Sequence, residues 1–223
     1  RRRIAPARGG GGDVEGIDRK GATEYDPLPV HDTIAGARDC LARVMADIRR
    51  RGALLRETER EVVDAVDGTV YAGHPRNFRE VPPEVRHGFR SRMVVIDEAA
   101  LLALTGSVEE ADRKAGQRAV AFLQSATALV RSLGIHVVLA VQRPDADLLP
   151  GFTKNNLQAR LLLGRNDDEA QRMTLTNAVV TEAVQLSDVT ERPPGRCVAV
   201  GCGTPAAVLG QTYLLPESAL HRS

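Results

Sequence analysis

Residues 92–102 read Arg-Met-Val-Val-Ile-Asp-Glu-Ala-Ala-Leu-Leu, RMVVIDEAALL in one-letter form. Met93 to Ile96 are a short continuous apolar run, with the length and β-branched content of a strand covered on both faces. Asp97 and Glu98 close that run, and small and apolar residues resume at Ala99. In an open parallel α/β sheet, ligands collect at the carboxyl ends of the strands. A buried strand that stops at two acids therefore delivers them to the edge where chemistry is done, or else merely leaves them solvated there.

Outward from this stretch the pattern alternates. Ala111 to Leu133 reads as a helix with Ala115, Ala119, Phe122, Leu123, Ala126, Leu129 and Val130 on one face. GIHVVLAVQ (134–142) is expected to be a second buried strand, stopped by Arg143-Pro144. QARLLLG (158–164) is expected to be a third, followed by a helix from Asp167 to about Leu175. RCVAVG (196–201) and AAVLGQTYLL (206–215) read as two short strands in a hairpin or sheet edge. Upstream, DVEGIDRKG (13–21) reads as the end of a strand and a turn. A helix follows from an N-cap at Asp32 or Thr33, with Ile34, Ala37, Leu41, Val44, Met45 and Ile48 at helical spacing. Its charged far end, IRRRGALLRETERE (48–61), is expected to project into solvent. Residues 67–90, holding Gly68, Gly73, Pro75, Pro82 and Pro83, read as a long loop. The whole implies α/β architecture: a mainly parallel sheet with helices on both faces and a C-terminal β-hairpin.

Composition narrows the class. The 223 residues suffice for one domain, or a core plus a small appendage, and 43% apolar with 26% charged residues is ordinary for a globular protein. A net charge of +1 gives no global field for nucleic acid or membrane, so any such surface is local. Cys40, Cys197 and Cys202 are odd in number, and the C-x4-C pair has no nearby histidines. That argues against a disulfide framework or zinc site and fits a reducing, cytoplasmic setting better. The most apolar helical stretch, AVAFLQSATALVRSLG, carries Gln124, Ser125 and Arg131 and cannot cross a bilayer. The basic start RRRIAPARGGGG runs into glycines rather than an apolar core, so it is no signal peptide; residues 1–13 are expected to be disordered or truncated.

Four apolar residues followed by Asp-Glu match the Walker B pattern of P-loop NTPases. There the first acid holds Mg2+ through water and the second orients and polarises the attacking water. Gln142, ending the next strand, is either a capping contact or a γ-phosphate sensor. In order and spacing, VVIDEAALL, then a helix, then SLGIHVVLAVQRPDADLLPGFTKNNLQARLLLGRNDDEAQRM resembles the FtsK/SpoIIIE family of hexameric DNA-pumping ATPases. GIDRKGATEYDPLP is similar to that family's IDPKG strand end, RRGALLRE to the helix after it, and PPGRCVAVGCGTPAAVLGQTYLL to its closing PGRG and β-hairpin. The likeness covers about residues 14–215, leaving 216–223 as a tail, and implies a partial RecA-like P-loop ATPase domain using ATP and Mg2+.

By that resemblance Asp97 is the magnesium acid, Glu98 the catalytic base and Gln142 the sensor. Arg160 is the match to the trans-acting arginine finger, with an ion pair at a strand edge as the plain alternative and Arg165 as its rival. Asp18 and Lys20 fall on the DPKG motif, in a nucleotide-binding or a sheet-end role. The resemblance further implies double-stranded DNA as partner and a homo-hexamer in the full-length protein, acting in conjugation or in chromosome segregation at cell division. This segment itself makes no membrane contact, and an anchor elsewhere in the full-length protein is left open. The Arg-rich RNFREVPPEVRHGFRSR (76–92) is either a DNA-facing loop or a solvated surface.

The pattern departs from the family in one large way. GxxxxGK[ST], the Walker A signature, occurs nowhere; ARGGGGD (7–13) has glycines without the lysine or hydroxyl. Without that lysine and its amide cradle the β- and γ-phosphates lose their principal positive partner. The chain is then either part of a motor whose phosphate loop lies outside it, expected to be inactive alone, or a degenerate non-hydrolysing module. An EccC-like ATPase that secretes proteins shares the same motifs and stands as the other alternative.

Overall fold

The computed structural model describes residues 12–20, 28–103, 109–142, 150–164, 168–175, 195–203 and 206–212, and the chain divides into two bodies at residue 141/142. In the first, the apolar run at 93–96 lies within a strand of a four-stranded, all-parallel sheet. The strands are β1 (Asp13–Asp18), β2 (Val30–His31), β5 (Arg92–Asp97) and β6 (Ile135–Leu139), in the order β2-β1-β5-β6. Val94, Val95 and Ile96 are buried, as is Ile17 beside Ile96. β6 departs from expectation. It is not buried along its length: Ile135 is buried, but His136 and Val138 are exposed. Among the described strands it pairs on one side alone, so its apolar run VVL hides an alternation that composition cannot show.

Two helices cover this sheet. α1 (Ile34–Glu57) starts at Thr33, whose hydroxyl accepts a hydrogen bond from the Gly36 amide at 3.0 Å. Ile34, Ala37, Cys40, Leu41, Val44, Met45 and Ile48 form its buried stripe. α4 (Glu110–Leu129) packs on α1 through Ala115, Gly116, Ala119, Leu123 and Ala126. α4 stops four residues short of the expected Leu133, giving way to a 3-10 turn at Val130–Ser132. Leu129 is exposed, whereas the rest of the expected face is buried or half-buried. Gly116 is required: a Cβ there would sit 2.8 Å from the carbonyl oxygen of Leu102, in α3 (Ala100–Ala103).

The far end of α1 does not simply project into solvent. Arg51 is 3% exposed, donates to the carbonyl of Leu133 at 2.8 Å and pairs with Asp47 at 2.8 Å, while Leu55 is buried beside it. Nor is 67–90 one long loop. β3 (Arg60–Val63) and β4 (Val70–Gly73) form an antiparallel hairpin, and α2 (Pro83–Arg86) opens on a proline at the first helical position. The hairpin turn is closed by Asp64 and Asp67. Their carboxylates accept from the amides of Val66 and Thr69 at 2.7 and 2.8 Å, and Gly68 supplies the φ of +75°. The Asp-Gly pair at 67–68 was the available signal.

The second body holds α5 (Gly151–Asn156), β7 (Arg160–Leu163), α6 (Asp168–Thr174), β8 (Arg196–Val200) and β9 (Val208–Gln211). β7-β8-β9 is an antiparallel sheet over a small core of Leu162, Leu175 and Val198. The stretch read as a third parallel strand therefore pairs antiparallel with the C-terminal hairpin. Leu162 faces inward while Leu161 and Leu163 are exposed, an alternation that three consecutive leucines conceal. All three cysteines are free.

At the start of the first sheet, Glu15 is a charge hub. Its carboxylate accepts from Arg43 at 2.7 Å and from Arg92, lies 3.0 Å from His31 Nε2, and receives the Cys40 thiol at 3.6 Å. Burial opposes its charge, but the hydrogen bonds of Arg43, His31 and Arg92 prevail and hold its pKa down at about 2. Glu15, His31 and Cys40 lie within 4.8 Å of one another, yet two guanidiniums occupy the carboxylate, and burial, reinforced by the charge of Glu15, pushes the Cys40 thiol up to about 12. A protonated thiol among arginines is not a cation ligand set.

This gives an acid-stability prediction. A carboxyl whose folded pKa lies below its unfolded value of 4.5 contributes stability above pH 4.5 and loses it as pH falls toward 2. Wild type should thus lose on the order of 3 kcal/mol more than Glu15→Gln between pH 6 and 2, by urea titration at each pH. Parallel pH profiles for the two proteins would disprove the hub.

Candidate functional site

The carboxyl edge of the parallel sheet gathers four of the expected residues. β1 and β5 run in register, so Asp18 stands directly beside Asp97. Asp18 is fully buried, Asp97 half-buried and Glu98 buried. The chain folds back on each acid: the amide of Lys20 donates to Asp18 Oδ1 at 2.8 Å, and the amide of Glu98 donates to Asp97 Oδ1 at 2.9 Å. From the turn after β1, Lys20 Nζ reaches Glu98 Oε2 at 3.0 Å. Its pKa is raised, first by that hydrogen bond; burial opposes the rise, and the charges of Glu98, Asp97 and Asp18 add to it.

Glu98 has φ +46° and is the one non-glycine at positive φ among the described residues. A side chain in the left-handed region costs roughly 1–2 kcal/mol. The surrounding backbone imposes it. Ala99 donates to the carbonyl of Ala140 at 3.0 Å, Ala140 to that of Ile96 at 2.9 Å, and Leu101 to that of Glu98 at 2.8 Å, opening α3. The acid is thus held at a tight strand-to-helix turn, as strained residues at functional sites commonly are.

The donor set fits the expected ion. Asp18 and Asp97 are register partners at the strand ends, and both carry carboxylates, the ligand type that hard divalent cations such as Mg2+ take. Most of the glycine tract, residues 1–11, lies outside the described residues, and so does Arg165.

The other two expected residues belong to the second body. Gln142 stands just beyond the end of β6. Arg160 opens β7 and spends its guanidinium on its own chain: Nε donates to the carbonyl of Leu157 at 2.9 Å, Nη1 to that of Thr174 at 3.0 Å and Nη2 to that of Lys154 at 2.6 Å. It ties α5, β7 and α6 together. The Arg-rich segment 76–92 is ordered rather than a free loop, with Arg86 donating to the carbonyl of Val81 at 3.2 Å and Arg92 engaged by Glu15. The Lys20–Glu98 contact was not legible in the sequence, because 78 positions separate the partners and nothing local marks them.

No protein-family model matches the chain. Curated proteins named DNA translocase FtsK do: that of Sporosarcina ureae is 26% identical over 161 residues, 71% of this chain and 19% of the relative. That of Staphylococcus aureus (strain Mu50) is 25% identical over 134 residues, 60% and 15%, and that of Halalkalibacterium halodurans 23% over 163 residues, 71% and 18%. The chain thus spans less than a fifth of these relatives' length. Among solved structures, the pCW3 conjugation coupling protein TcpA, a monomer form with ATPγS, aligns with TM-score 0.70 at 24% identity, covering 90% of this chain and 52% of TcpA. The cytoplasmic domain of the type VII secretion ATPase EccC from Thermomonospora curvata aligns at 0.57 and 17% identity, over 93% of this chain and 23% of that one. The chain is similar to FtsK translocases in sequence, and its fold is the α/β RecA-like P-loop fold. Among the described residues, no helix is long and apolar enough to cross a membrane.

The Arg160 geometry yields a stability test. Arg160→Ala should strip three carbonyls of their donor and lower unfolding free energy by about 1–3 kcal/mol in chemical denaturation. Unchanged stability would show that the three bonds contribute nothing in solution.

Proposed function

We propose that this chain is part of an ATP-driven motor that translocates double-stranded DNA, working as a homo-hexamer in a conjugative or chromosome-segregating setting in the cytoplasm. The observation that carries the reading is the in-register pair Asp18–Asp97 with Glu98 at the next position, at the carboxyl edge of a RecA-like sheet. Bound Mg-ATP would supply the γ-phosphoryl group whose hydrolysis drives movement. Asp97, with Asp18 beside it, would hold a magnesium ion through its water shell. Glu98 accepts a proton from the attacking water and orients it, a role that its fixed turn suits. Gln142 would serve as the γ-phosphate sensor, and Arg160 or Arg165 as the finger toward a neighbouring subunit's nucleotide. For Arg160 that reach requires release from its three carbonyls.

DNA is favoured over protein as the cargo because the sequence relatives at 23–26% identity are named DNA translocases, whereas EccC stands at 17%. An EccC-like secretion ATPase is the second reading.

The test uses the full-length protein that contains these residues. Glu98→Gln should leave nucleotide binding intact and lower turnover by ~10²–10⁴, while Asp97→Ala should weaken Mg-nucleotide binding itself. Double-stranded DNA should stimulate phosphate release, and displacement of a triplex-forming strand should report movement. Wild-type turnover in Glu98→Gln would remove Glu98 from the mechanism. Hydrolysis indifferent to DNA would favour the secretion reading, and no hydrolysis at all the degenerate one.

A further inference from the structure

We propose that Lys20 is a nucleotide-exchanged latch on Glu98: it occupies the carboxylate in the nucleotide-free protein and gives it up to water when phosphate draws the ammonium away. The inference rests on Glu98 being the base. Three features carry it.

The first is the contact, with Lys20 Nζ 3.0 Å from Glu98 Oε2. An ammonium donates to the lone pairs that an attacking water's proton needs, so a latched Glu98 is a poor base. The second is an asymmetry of freedom. The Glu98 side chain is 11% exposed, and its main chain is held at φ +46° by the bonds of Ala99 and Leu101. The Lys20 side chain is 46% exposed, while its amide is anchored to Asp18. Release therefore falls to the four-carbon stem of the lysine, since the acid has nowhere to go. The third is the charge around the ammonium. Glu98, Asp97 and Asp18 all act on it, and a magnesium ion taken by Asp97 and Asp18 would cancel part of that attraction just as polyphosphate oxygens arrive as a competing partner. Nucleotide thus withdraws the ammonium from the base by the act of binding, and the empty site keeps it there.

No bond is made or broken in the exchange; one ion pair replaces another. Lys20 is accordingly a positioning residue that acts through Glu98.

The experiment is zero-length carbodiimide coupling of the full-length protein, read by peptide mass spectrometry, after ATPγS binding has been measured separately. Without nucleotide, an amide between Lys20 and Glu98 is expected, absent in Glu98→Gln; saturating Mg-ATPγS should suppress it several-fold. In hydrolysis, Lys20→Met should raise KM for ATP several-fold with kcat nearly unchanged, and Lys20→Arg should restore KM. Cross-linking that persists with bound ATPγS, or never forms without it, overturns the latch alone. A fall in kcat without a change in KM makes Lys20 a participant in the chemistry and likewise overturns it. Failure to bind ATPγS at all removes the nucleotide site itself, and the latch with it.

Discussion

Parallel pairing of β1 with β5 governs both what this chain buries and what it displays. Six residues of each strand pair, from Asp13 against Arg92 to Asp18 against Asp97. Because side chains alternate in a strand, a slip of one residue would send Ile17 and Ile96 to the opposite face and part the two aspartates. The apolar middle of the strands enforces the register, and the register places the acids. The site is thus a by-product of core packing.

The two ends of that sheet treat charge in opposite ways. At the start, Glu15 is saturated by Arg43, Arg92 and His31, and Asp47 by Arg50 and Arg51, so acid and base cancel within the fold. At the finish, Lys20 donates its amide to Asp18 and its ammonium to Glu98, and the charge of Asp97 acts on it as well. Carboxylates gathered at a carboxyl edge are the ligand type a hard cation takes.

Much of this was legible beforehand, and the failures share a cause. The stripe from Ile34 to Ile48 marked α1, and MVVID marked β5, because periodicity and an abrupt change from apolar to acidic are local signals. β6 and β7 were read correctly as strands but wrongly in their surroundings, because VVL and LLL are uniform in composition while alternating in exposure. Pairing partners are set by residues far along the chain: β7 lies against β8, whose sequence says nothing of direction. The hairpin β3–β4 was missed because its glycines, and the prolines that follow at 75, 82 and 83, outweighed a short alternation. Arg51 was missed because an arginine becomes an inward residue only when a distant carbonyl, here that of Leu133, awaits it. For the site, the acids were visible as a motif, but their company was not: Lys20 meets Glu98 across the sheet, and Arg160 settles on carbonyls no motif names.

The contact at Gly116 has a mechanical meaning. Backbone meets backbone there, with the space for a single methyl group missing between α4 and the carbonyl of Leu102. α3 begins two residues after Glu98, so the turn that carries the acid and the long helix behind it touch with no compliant side chain between them. Rubbery layers of leucine absorb small displacements; a hard stop transmits them. A shift of the acid's turn by a fraction of an ångström would therefore arrive at α4 undamped, and from α4 at the length of α1 against which it lies.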